Sequence, residues 1–240
     1  MIGVSGSNGF IGSRLFKKLE QIDQVIALNR SGYVPPEVNC IYDLAAYGNL
    51  FGQNMIDQIY EANVVRVARE LMTSRNIKQF TFMSTSSVTL PQQTFYSLSK
   101  KATEEMLLFR GNSVIVRPYS VTGVGEQKEH LIPTLIDAAF TGKTIPFVPE
   151  PVHDFIDVDD VVDVLIESLE SRDSIIHLGS GIGTSNRQVL QIVEDVTKRN
   201  IKTKIVASLR GYDIEDWVSP ESYGEKTLQE SIQEMIKEYE

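Results

Sequence analysis

Cysteine and long apolar runs are almost absent from this chain of 240 residues, which contains a single cysteine. Cys40 cannot form an internal disulfide, and its apolar neighbours favour a core position over a nucleophile. No apolar run approaches the ~18 residues that a membrane-spanning helix needs. The first apolar segment starts at Met1, with no signal-peptide pattern before it. We therefore expect a cytoplasmic protein with no membrane segment.

An excess of positive charge is also missing. Lysine and arginine number 23 against 32 aspartate and glutamate residues, a formal net charge of −9. This balance argues against a broad surface for nucleic acid or anionic membrane, although the local field of a pocket still permits an anionic nucleotide. The length suits one sizeable α/β domain with a small appendage. We predict no metal site.

The first thirty residues have the order apolar strand, glycine turn, amphipathic helix, apolar strand. Gly6, Gly9 and Gly12 make a G-x-x-G-x-x-G turn. We expect Gly6 to permit the tight turn, Gly9 to let backbone approach a ligand, and Gly12 to let the helix pack near the sheet. Such a turn brings backbone N–H groups and a helix N-terminus to one point, which favours a phosphate or pyrophosphate. A turn that binds nothing is the alternative.

Further along, apolar strands alternate with helices, which predicts a parallel sheet with helices on both faces. Residues 29–39 form a loop with two prolines in place of a crossover helix, so the second strand should lie at a sheet edge. We expect helices near residues 54–75, 96–109, 130–140, 158–169, 186–199 and 228–239, and strands near 40–46, 80–83, 113–117, 144–148, 154–158, 175–178 and 205–206.

These elements predict an α/β fold, a Rossmann-like doubly wound parallel sheet that is one strand–helix unit short. Residues 1–117 form its dinucleotide-binding core. Residues 118–240 complete the sheet and build a small interleaved substrate lobe over the carboxyl ends of the strands, where open α/β sheets bind ligands.

The strongest chemical signal is the pair Tyr96 and Lys100, which share a helix face at i and i+4. A phenol with an ordinary pKa near ~10 moves protons poorly at neutral pH unless a neighbouring ammonium stabilises the phenolate. The hydroxyl cluster at residues 84–87 ends the preceding strand and offers a donor that would polarise a carbonyl. Each feature alone is common by chance, but together, after a nucleotide turn, they indicate catalysis.

At these residues the chain resembles the extended short-chain dehydrogenase/reductase family, the NAD(P)-dependent sugar-nucleotide epimerases, dehydratases and ketoreductases. The resemblance covers the glycine turn, residues 44–46, Asn63, residues 80–88, the Tyr-x-x-x-Lys pair, and the segments 117–123, 153–161 and 179–187. It implies that Tyr96 is the acid/base, that Lys100 lowers the pKa of Tyr96 and holds the nicotinamide ribose, and that Thr85 is the catalytic hydroxyl with Ser86 as its nearest substitute.

The site predicted on this basis has a cofactor part and a substrate part. Its cofactor-binding residues are Gly6, Gly9, Phe10, Ile11, Asn29, Arg30, Ser31, Leu44, Ala45, Ala46, Asn63, Tyr96, Lys100, Tyr119 and Val121. Its substrate-binding residues are Thr85, Ser86, Ser120 and His153.

The chain departs from the family pattern at several substrate positions. Ser120 stands where sugar-nucleotide enzymes usually have asparagine, and His153 where they have an arginine that meets the diphosphate. A neutral histidine binds phosphate less well than a guanidinium. Ser86 and Ser87 replace the Asp-Glu pair of the dehydratases, which argues against 4,6-dehydration. A nucleotide-activated sugar therefore leads as substrate, and a smaller carbonyl compound stays open.

The end of the second strand bears on the choice between NAD and NADP. NAD enzymes usually place an acidic side chain there for the ribose diol. Asn29 does not repel a 2′-phosphate, and Arg30 and Ser31 would bind one, so we prefer NADP, with NAD as the alternative.

The predicted activity is keto-sugar reduction or epimerisation by Tyr-mediated proton transfer and nicotinamide hydride transfer. A non-catalytic NADP-binding or sensing module on the same fold is a rival, although such relatives typically lack the Tyr-Lys pair. The resemblance also implies a homodimer that packs the helices near residues 54–75 and 96–110 into a four-helix bundle.

Overall fold

The structure, a computed structural model, describes residues 1–50, 52–74, 76–170, 174–208 and 216–239. The chain divides into two compact units, Met1–Pro118 with Val162–His177, and Tyr119–Val161 with Leu178–Glu240. The elements in chain order are β1 (Ile2–Ser5), α1 (Phe10–Leu19), β2 (Val25–Leu28), β3 (Cys40–Asp43), α2 (Ile56–Tyr60), α3 (Arg66–Thr73), β4 (Gln79–Met83), α4 (Phe95–Arg110), β5 (Ser113–Pro118), β6 (Ser120–Thr122), α5 (Leu131–Thr141), β7 (Ile145–Phe147), β8 (Val152–Asp157), α6 (Val158–Glu167), β9 (Ser174–Leu178), β10 (Gly183–Ser185), α7 (Asn186–Thr197), β11 (Thr203–Ile205), β12 (Asp216–Trp217) and α8 (Leu228–Ile236).

A six-stranded sheet in the order β2-β1-β3-β4-β5-β9 is the framework of the first unit. The neighbours from β2 to β5 pair in parallel. All five residues of the central strand β4 are buried, as in strands covered on both faces, whereas β2 is half-buried. This confirms the predicted Rossmann-like parallel sheet, with β2 at its edge.

The loop between β2 and β3 covers part of the sheet that a crossover helix would otherwise cover. Val34 and Val38 are each 1% exposed and belong to a core cluster with residues of β3, β4, α3 and α4. The Thr73 hydroxyl at the end of α3 donates to the Gly32 carbonyl and accepts from the Val34 N–H. A loop with two buried valines and its backbone bound to a helix thus covers the sheet without a helix of its own.

The long helix predicted over residues 54–75 consists of α2, a π-helical segment at Glu61–Val65, and α3. Its predicted last residue, Arg75, lies outside the described residues. π-helical segments inside α-helices are rare and are frequent at functional sites.

The second unit contains small sheets and its own core. β8 lies between β10 and β12, β6 also pairs with β8, and β7 pairs with β11. A cluster of buried apolar residues from α5, α7 and α8 packs together, and includes Leu135, Ile136, Val189, Val193, Ile232 and Met235. The short strands β6, β10 and β12 were not predicted, because two or three residues carry no readable alternation.

Among the described residues, no helix has both the length and the apolar character that crossing a membrane requires.

Candidate active site

The glycine turn joins β1 to α1 and lies against the backbone that follows β3. Gly6 has a φ of 78°, in the left-handed region, and a Cβ there would be 2.7 Å from the Ala45 nitrogen. A Cβ on Gly12 would be 2.1 Å from the Gly6 carbonyl oxygen, so only glycine lets α1 approach the turn this closely. The Gly9 N–H donates to the same oxygen at 2.9 Å. The three glycines therefore keep the turn compact.

The N-terminus of α1 contains the predicted cofactor residues Gly9, Phe10 and Ile11. Gly9 is the N-cap, and it supplies no side-chain acceptor to the first N–H groups. The first turn carries no acidic residue, while Lys17 and Lys18 lie in the last turn. Because the helix itself places no negative charge at this end, the end attracts an anion such as a pyrophosphate.

The carboxyl end of the edge strand β2 carries Asn29, Arg30 and Ser31, all exposed. The Asn29 side-chain oxygen accepts from the Ser31 N–H at 2.9 Å and from the Ser31 hydroxyl. The three residues thus form a tight polar turn with no carboxylate in it. Its chemistry suits a ribose that carries a 2′-phosphate at least as well as a free ribose diol.

Residues 44–46 follow β3 and lie beside the glycine turn. The Leu44 N–H donates to the Ser5 carbonyl at 3.0 Å, which continues the β1–β3 ladder beyond both strands. The Ala45 N–H donates to Asp43 at 3.2 Å, and the Ala45 carbonyl accepts from Arg66 at 3.1 Å. The structure therefore brings together the predicted cofactor residues that follow β1 and β3.

A buried charge network, Ser5, Asp43, Arg66 and Glu70, holds these two segments. One Arg66 nitrogen donates to both Asp43 carboxylate oxygens, at 2.8 and 3.0 Å, and another to Glu70 at 2.7 Å. The Ser5 hydroxyl donates to the same Glu70 oxygen at 2.6 Å. The network ties the ends of β1 and β3 to α3. Sequence reasoning missed it, since a single polar residue in an apolar strand or on a helix is a weak signal.

Burial changes the titration of this network. The pKa of Glu70 rises to about 7, because burial and the neighbouring Asp43 charge disfavour its carboxylate more than Arg66 favours it. Burial opposes the charge on Arg66, but Asp43 and Glu70 outweigh it and raise the Arg66 pKa. The second Glu70 oxygen is buried and has no hydrogen-bond partner among the described residues.

The π-helical segment places Asn63 beneath the loop that follows residues 44–46. The Asn63 amide accepts from the Tyr47 N–H at 3.0 Å, and donates to the Tyr47 carbonyl at 2.8 Å and to the Ser99 hydroxyl at 2.9 Å. The Asn63 carbonyl accepts from the Thr103 hydroxyl at 2.7 Å. Asn63 is fully buried. Its side-chain amide binds the Tyr47 backbone and Ser99 of α4, and its backbone carbonyl binds Thr103 of α4.

Tyr96 and Lys100 lie one turn apart on α4, which begins with a capping box between Thr94 and Ser97. Lys100 is 1% exposed; its ammonium donates to the Met83 carbonyl at 2.8 Å and lies 4.5 Å from the centre of the Phe82 ring. Burial lowers the pKa of Lys100 to about 8. It raises the pKa of the Tyr96 phenol above its ordinary value, so the lowering that the resemblance implies stays a prediction.

The hydroxyl cluster after β4 separates into an accessible and an inaccessible part. Ser86 is 1% exposed, and its hydroxyl donates to the Pro118 carbonyl at 2.7 Å. Thr85 is half-buried; its hydroxyl oxygen accepts from the Ser87 N–H at 3.2 Å and lies 3.0 Å from the Ser87 hydroxyl. Because Thr85 is the more accessible of the two candidates, its position favours it over Ser86 for contact with a substrate.

A second ion pair, between the partly buried Arg117 and the buried Glu104, is linked to this cluster. Arg117 donates to both carboxylate oxygens of Glu104, at 3.0 and 2.6 Å, and Glu104 also accepts from the Ser84 hydroxyl. Glu104 is 1% exposed and favours the charged form of Lys100 through its field. The end of β4, α4 and the end of β5 are thereby joined.

Three predicted site residues of the second unit lie at β6. Tyr119 directly precedes the strand, and Ser120 and Val121 lie in it. The Tyr119 N–H donates to the Leu178 carbonyl at 2.9 Å, and Ser120 is the register partner of Phe155 in β8. His153, on the same β8 strand, lies with its ring centre 5.9 Å from that of Trp217, and the Trp217 ring centre is 6.1 Å from that of Tyr119.

Asp154 is the buried anchor of the second unit. Its carboxylate accepts from the backbone N–H groups of Ser180, Gly181 and Ser219 at 2.7, 2.9 and 3.0 Å, and from the Ser180 hydroxyl at 2.7 Å. A Cβ on Gly179 would be 2.5 Å from this carboxylate, so the loop after β9 needs glycine there. One side chain thus gathers two loops around β8.

The first unit offers the donors that a dinucleotide requires, namely a compact glycine turn, an open helix start and an exposed polar turn after β2. Among the described residues, no group of three or more His, Cys, Asp and Glu side chains is arranged to hold a metal ion.

Residues 36–180 match the model of the NAD-dependent epimerase/dehydratase family, which is more than half of the chain. A curated relative, GDP-6-deoxy-D-talose 4-dehydrogenase of Aggregatibacter actinomycetemcomitans, is 28% identical over 162 residues. The match covers 63% of this chain and 55% of that relative, so the chain spans about half of the relative's length.

Solved structures show the same fold at low sequence identity. MoeE5 in complex with UDP-glucuronic acid and NAD is 22% identical, with a TM-score of 0.85 over 98% of this chain and 97% of that chain. RMD from Pseudomonas aeruginosa with NADPH is 17% identical, with a TM-score of 0.85 over 99% of this chain and 98% of that chain.

Proposed function

The chain belongs to the NAD-dependent epimerase/dehydratase family of extended short-chain dehydrogenases/reductases, and on that premise we propose that it is an NAD(P)-dependent oxidoreductase or epimerase acting on a nucleotide-activated sugar. The observation that carries the proposal is the pair Tyr96 and Lys100 on α4, with the Lys100 ammonium buried against the strand that Thr85 follows. Residues 1–117 would hold the cofactor and residues 118–240 the substrate, in the cytoplasm.

In this proposal Tyr96 exchanges a proton with the oxygen of the reacting carbonyl or alcohol. Lys100, charged below its pKa of about 8, favours the phenolate by its field, and Thr85 donates a hydrogen bond to the same substrate oxygen. Asn63 positions the loop at Tyr47, whose backbone it holds by two hydrogen bonds.

Gly6, Gly9, Phe10 and Ile11 would bind the cofactor pyrophosphate, and residues 44–46 would line its other side. The bound cofactor would supply hydride transfer, and Tyr96 would exchange the proton at the oxygen of the same carbon. The buried Asp43–Arg66–Glu70 network keeps the two backbone segments of this site at their present spacing.

We prefer NADP to NAD because the exposed turn after β2 offers Asn29, Arg30 and Ser31 and no carboxylate. The structural neighbours include several complexes with NAD and a complex with NADPH, so the fold itself accepts both. The preference for NADP favours a reductase slightly over an epimerase.

The substrate class rests on the family and on the names of its relatives, which act on or bind nucleotide sugars. Ser120 and His153 depart from the usual residues, which keeps a smaller carbonyl substrate as the alternative. A non-catalytic NADP-binding module is the other alternative, and the intact Tyr96–Lys100 pair argues against it.

The test is a Tyr96→Phe variant assayed beside the wild type. We expect its turnover to fall by about 10²-fold or more, because the proton donor is lost, while cofactor binding measured by calorimetry stays unchanged. Reduction is followed at 340 nm with NADH and NADPH in parallel, and epimerisation by chromatography of the sugar nucleotides. Full activity in the variant would contradict the catalytic assignment, and tighter binding of NADH than NADPH would contradict the cofactor preference.

We also propose a homodimer through the face of the helices α2, α3 and α4. Large apolar side chains are exposed there, namely Met55, Ile56, Tyr60, Val65, Met72, Phe95, Leu98, Leu108 and Phe109. Exposed apolar side chains on these helices favour association with a second copy. Elution of the protein as a monomer from a sizing column at micromolar concentration would argue against it.

A further inference from the structure

The second unit contains an aromatic group that sequence reasoning did not assemble. Trp217 and His153 are register partners in the neighbouring parallel strands β12 and β8, so their side chains lie on the same face of that small sheet. Their ring centres are 5.9 Å apart with an interplanar angle of 63°. The Tyr119 ring centre is 6.1 Å from that of Trp217, with an interplanar angle of 55°.

Trp217 thus contacts a residue proposed to bind substrate, His153, and one proposed to bind cofactor, Tyr119. All three side chains are half-buried, as side chains at the wall of a binding site are. The Trp217 Nε1 atom is buried and makes no hydrogen bond to any of the described residues. A buried indole N–H usually has a partner, because leaving it unpaired after removal from water is unfavourable.

Asp154 and Tyr223, in the same unit as Trp217, both have hydrogen-bond partners. Asp154, next to His153, accepts from four donors of the two flanking loops. The Tyr223 hydroxyl of the same unit donates to Glu221 at 2.7 Å. The indole N–H of Trp217 is buried and has no acceptor among the described residues, which fits an acceptor supplied by a ligand.

We propose that Trp217 is a substrate-binding residue whose indole N–H donates to an oxygen of the nucleoside diphosphate sugar, beside His153. This inference rests on the function proposed above and assigns a donor that His153 alone does not provide, since one imidazole offers fewer donors than a guanidinium. The indole face also gives an apolar wall against which a sugar or base packs, as expected of a residue that discriminates between substrates.

The first test uses the intrinsic fluorescence of the full chain, in which Trp217 is the only tryptophan. UDP-glucose and GDP-mannose are titrated in parallel while emission and binding heat are recorded. We expect a saturable change of emission whose midpoint equals the calorimetric Kd. Binding heat without any change of emission would overturn the role of Trp217 and leave the proposed function standing. If neither nucleotide sugar binds, the substrate class fails, and the inference that rests on it fails as well.

The second test replaces the donor and keeps an aromatic ring, in the variant Trp217→Phe. We expect the Kd of the bound nucleotide sugar to rise about tenfold, the loss of one hydrogen bond to a charged oxygen, with NADPH binding unchanged. Tyr223→Phe is the matched control, since it removes a paired ring hydroxyl of the same unit. Circular dichroism and the melting temperature verify that both variants fold. A wild-type Kd for the nucleotide sugar in Trp217→Phe would overturn the proposal.

Discussion

The two units hold their loops with different chemistry. In the first, carboxylates and a guanidinium from β3 and α3 pair directly, and both Asp43 and Glu70 are fully buried. In the second, the equally buried Asp154 accepts three backbone N–H groups and one hydroxyl, and within the described residues no ion pair with it is found.

The two arrangements should lose different amounts of stability when one of their groups is replaced. A buried ion pair gains little net stability when it is whole, but the loss of one partner leaves a charge without water or counter-ion. A carboxylate bound by backbone donors loses hydrogen bonds when it is neutralised, and its donors belong to loops that can still move toward water. The first unit should therefore tolerate single changes to its network less well than the second.

The largest effect is expected from Arg66→Met, which leaves Asp43 and Glu70 facing each other in the interior. We expect the free energy of unfolding to fall by about 3–5 kcal/mol, measured by urea denaturation. Arg69→Met on the same helix is the control, because its ion pair with Glu61 is exposed and should contribute less than about 1 kcal/mol. Equal stability of the two variants would remove the distinction between the units.

An intermediate effect is expected from Asp154→Asn, which keeps the size of the side chain and turns one acceptor oxygen into a donor. The loss should be about 2–3 kcal/mol, since hydrogen bonds to a charged group weaken and one N–H loses its acceptor. Asp137→Asn, a half-exposed carboxylate near Lys143, should change stability by less than about 1 kcal/mol. A loss for Asp154→Asn larger than that for Arg66→Met would reverse the ranking.

The smallest effect concerns the pH dependence that Glu70 gives to the first unit. Its pKa rises from 4.5 to about 7 on folding, so between these values the folded state retains a proton that the unfolded state releases. Stability from this group is present below pH ~4.5 and falls as the pH rises toward 7. Glu70→Gln lacks this titration, and its stability relative to the wild type should improve by about 1–2 kcal/mol from pH 5 to pH 8.

Urea unfolding of both proteins at pH 5, 6, 7 and 8 measures this difference. If the difference in free energy of unfolding stays constant across the series, Glu70 keeps one protonation state from pH 5 to pH 8. The charge of the network would then be fixed over this range.

The sequence contained much of the fold and part of the candidate site. The apolar runs of β1, β3, β4 and β5, the glycine turn and the proline loop are local patterns, and they were enough for the parallel sheet with β2 at its edge. The i, i+4 spacing of Tyr96 and Lys100 likewise follows from one helix. The short strands β6, β10 and β12 were missed, because their pairing with β8 depends on residues distant in sequence.

What the sequence by itself determined is therefore which residues are adjacent along the chain: the turn that favours a phosphate, and the phenol one helical turn from an ammonium. Only the tertiary structure decided which hydroxyl after β4 is accessible, Thr85 or Ser86. It also decided that Arg66 binds Asp43 across 23 residues, and that Trp217 meets His153 across two strands. Burial and hydrogen bonding act between groups close in space, and a strand or helix pattern specifies neighbours only along its own length.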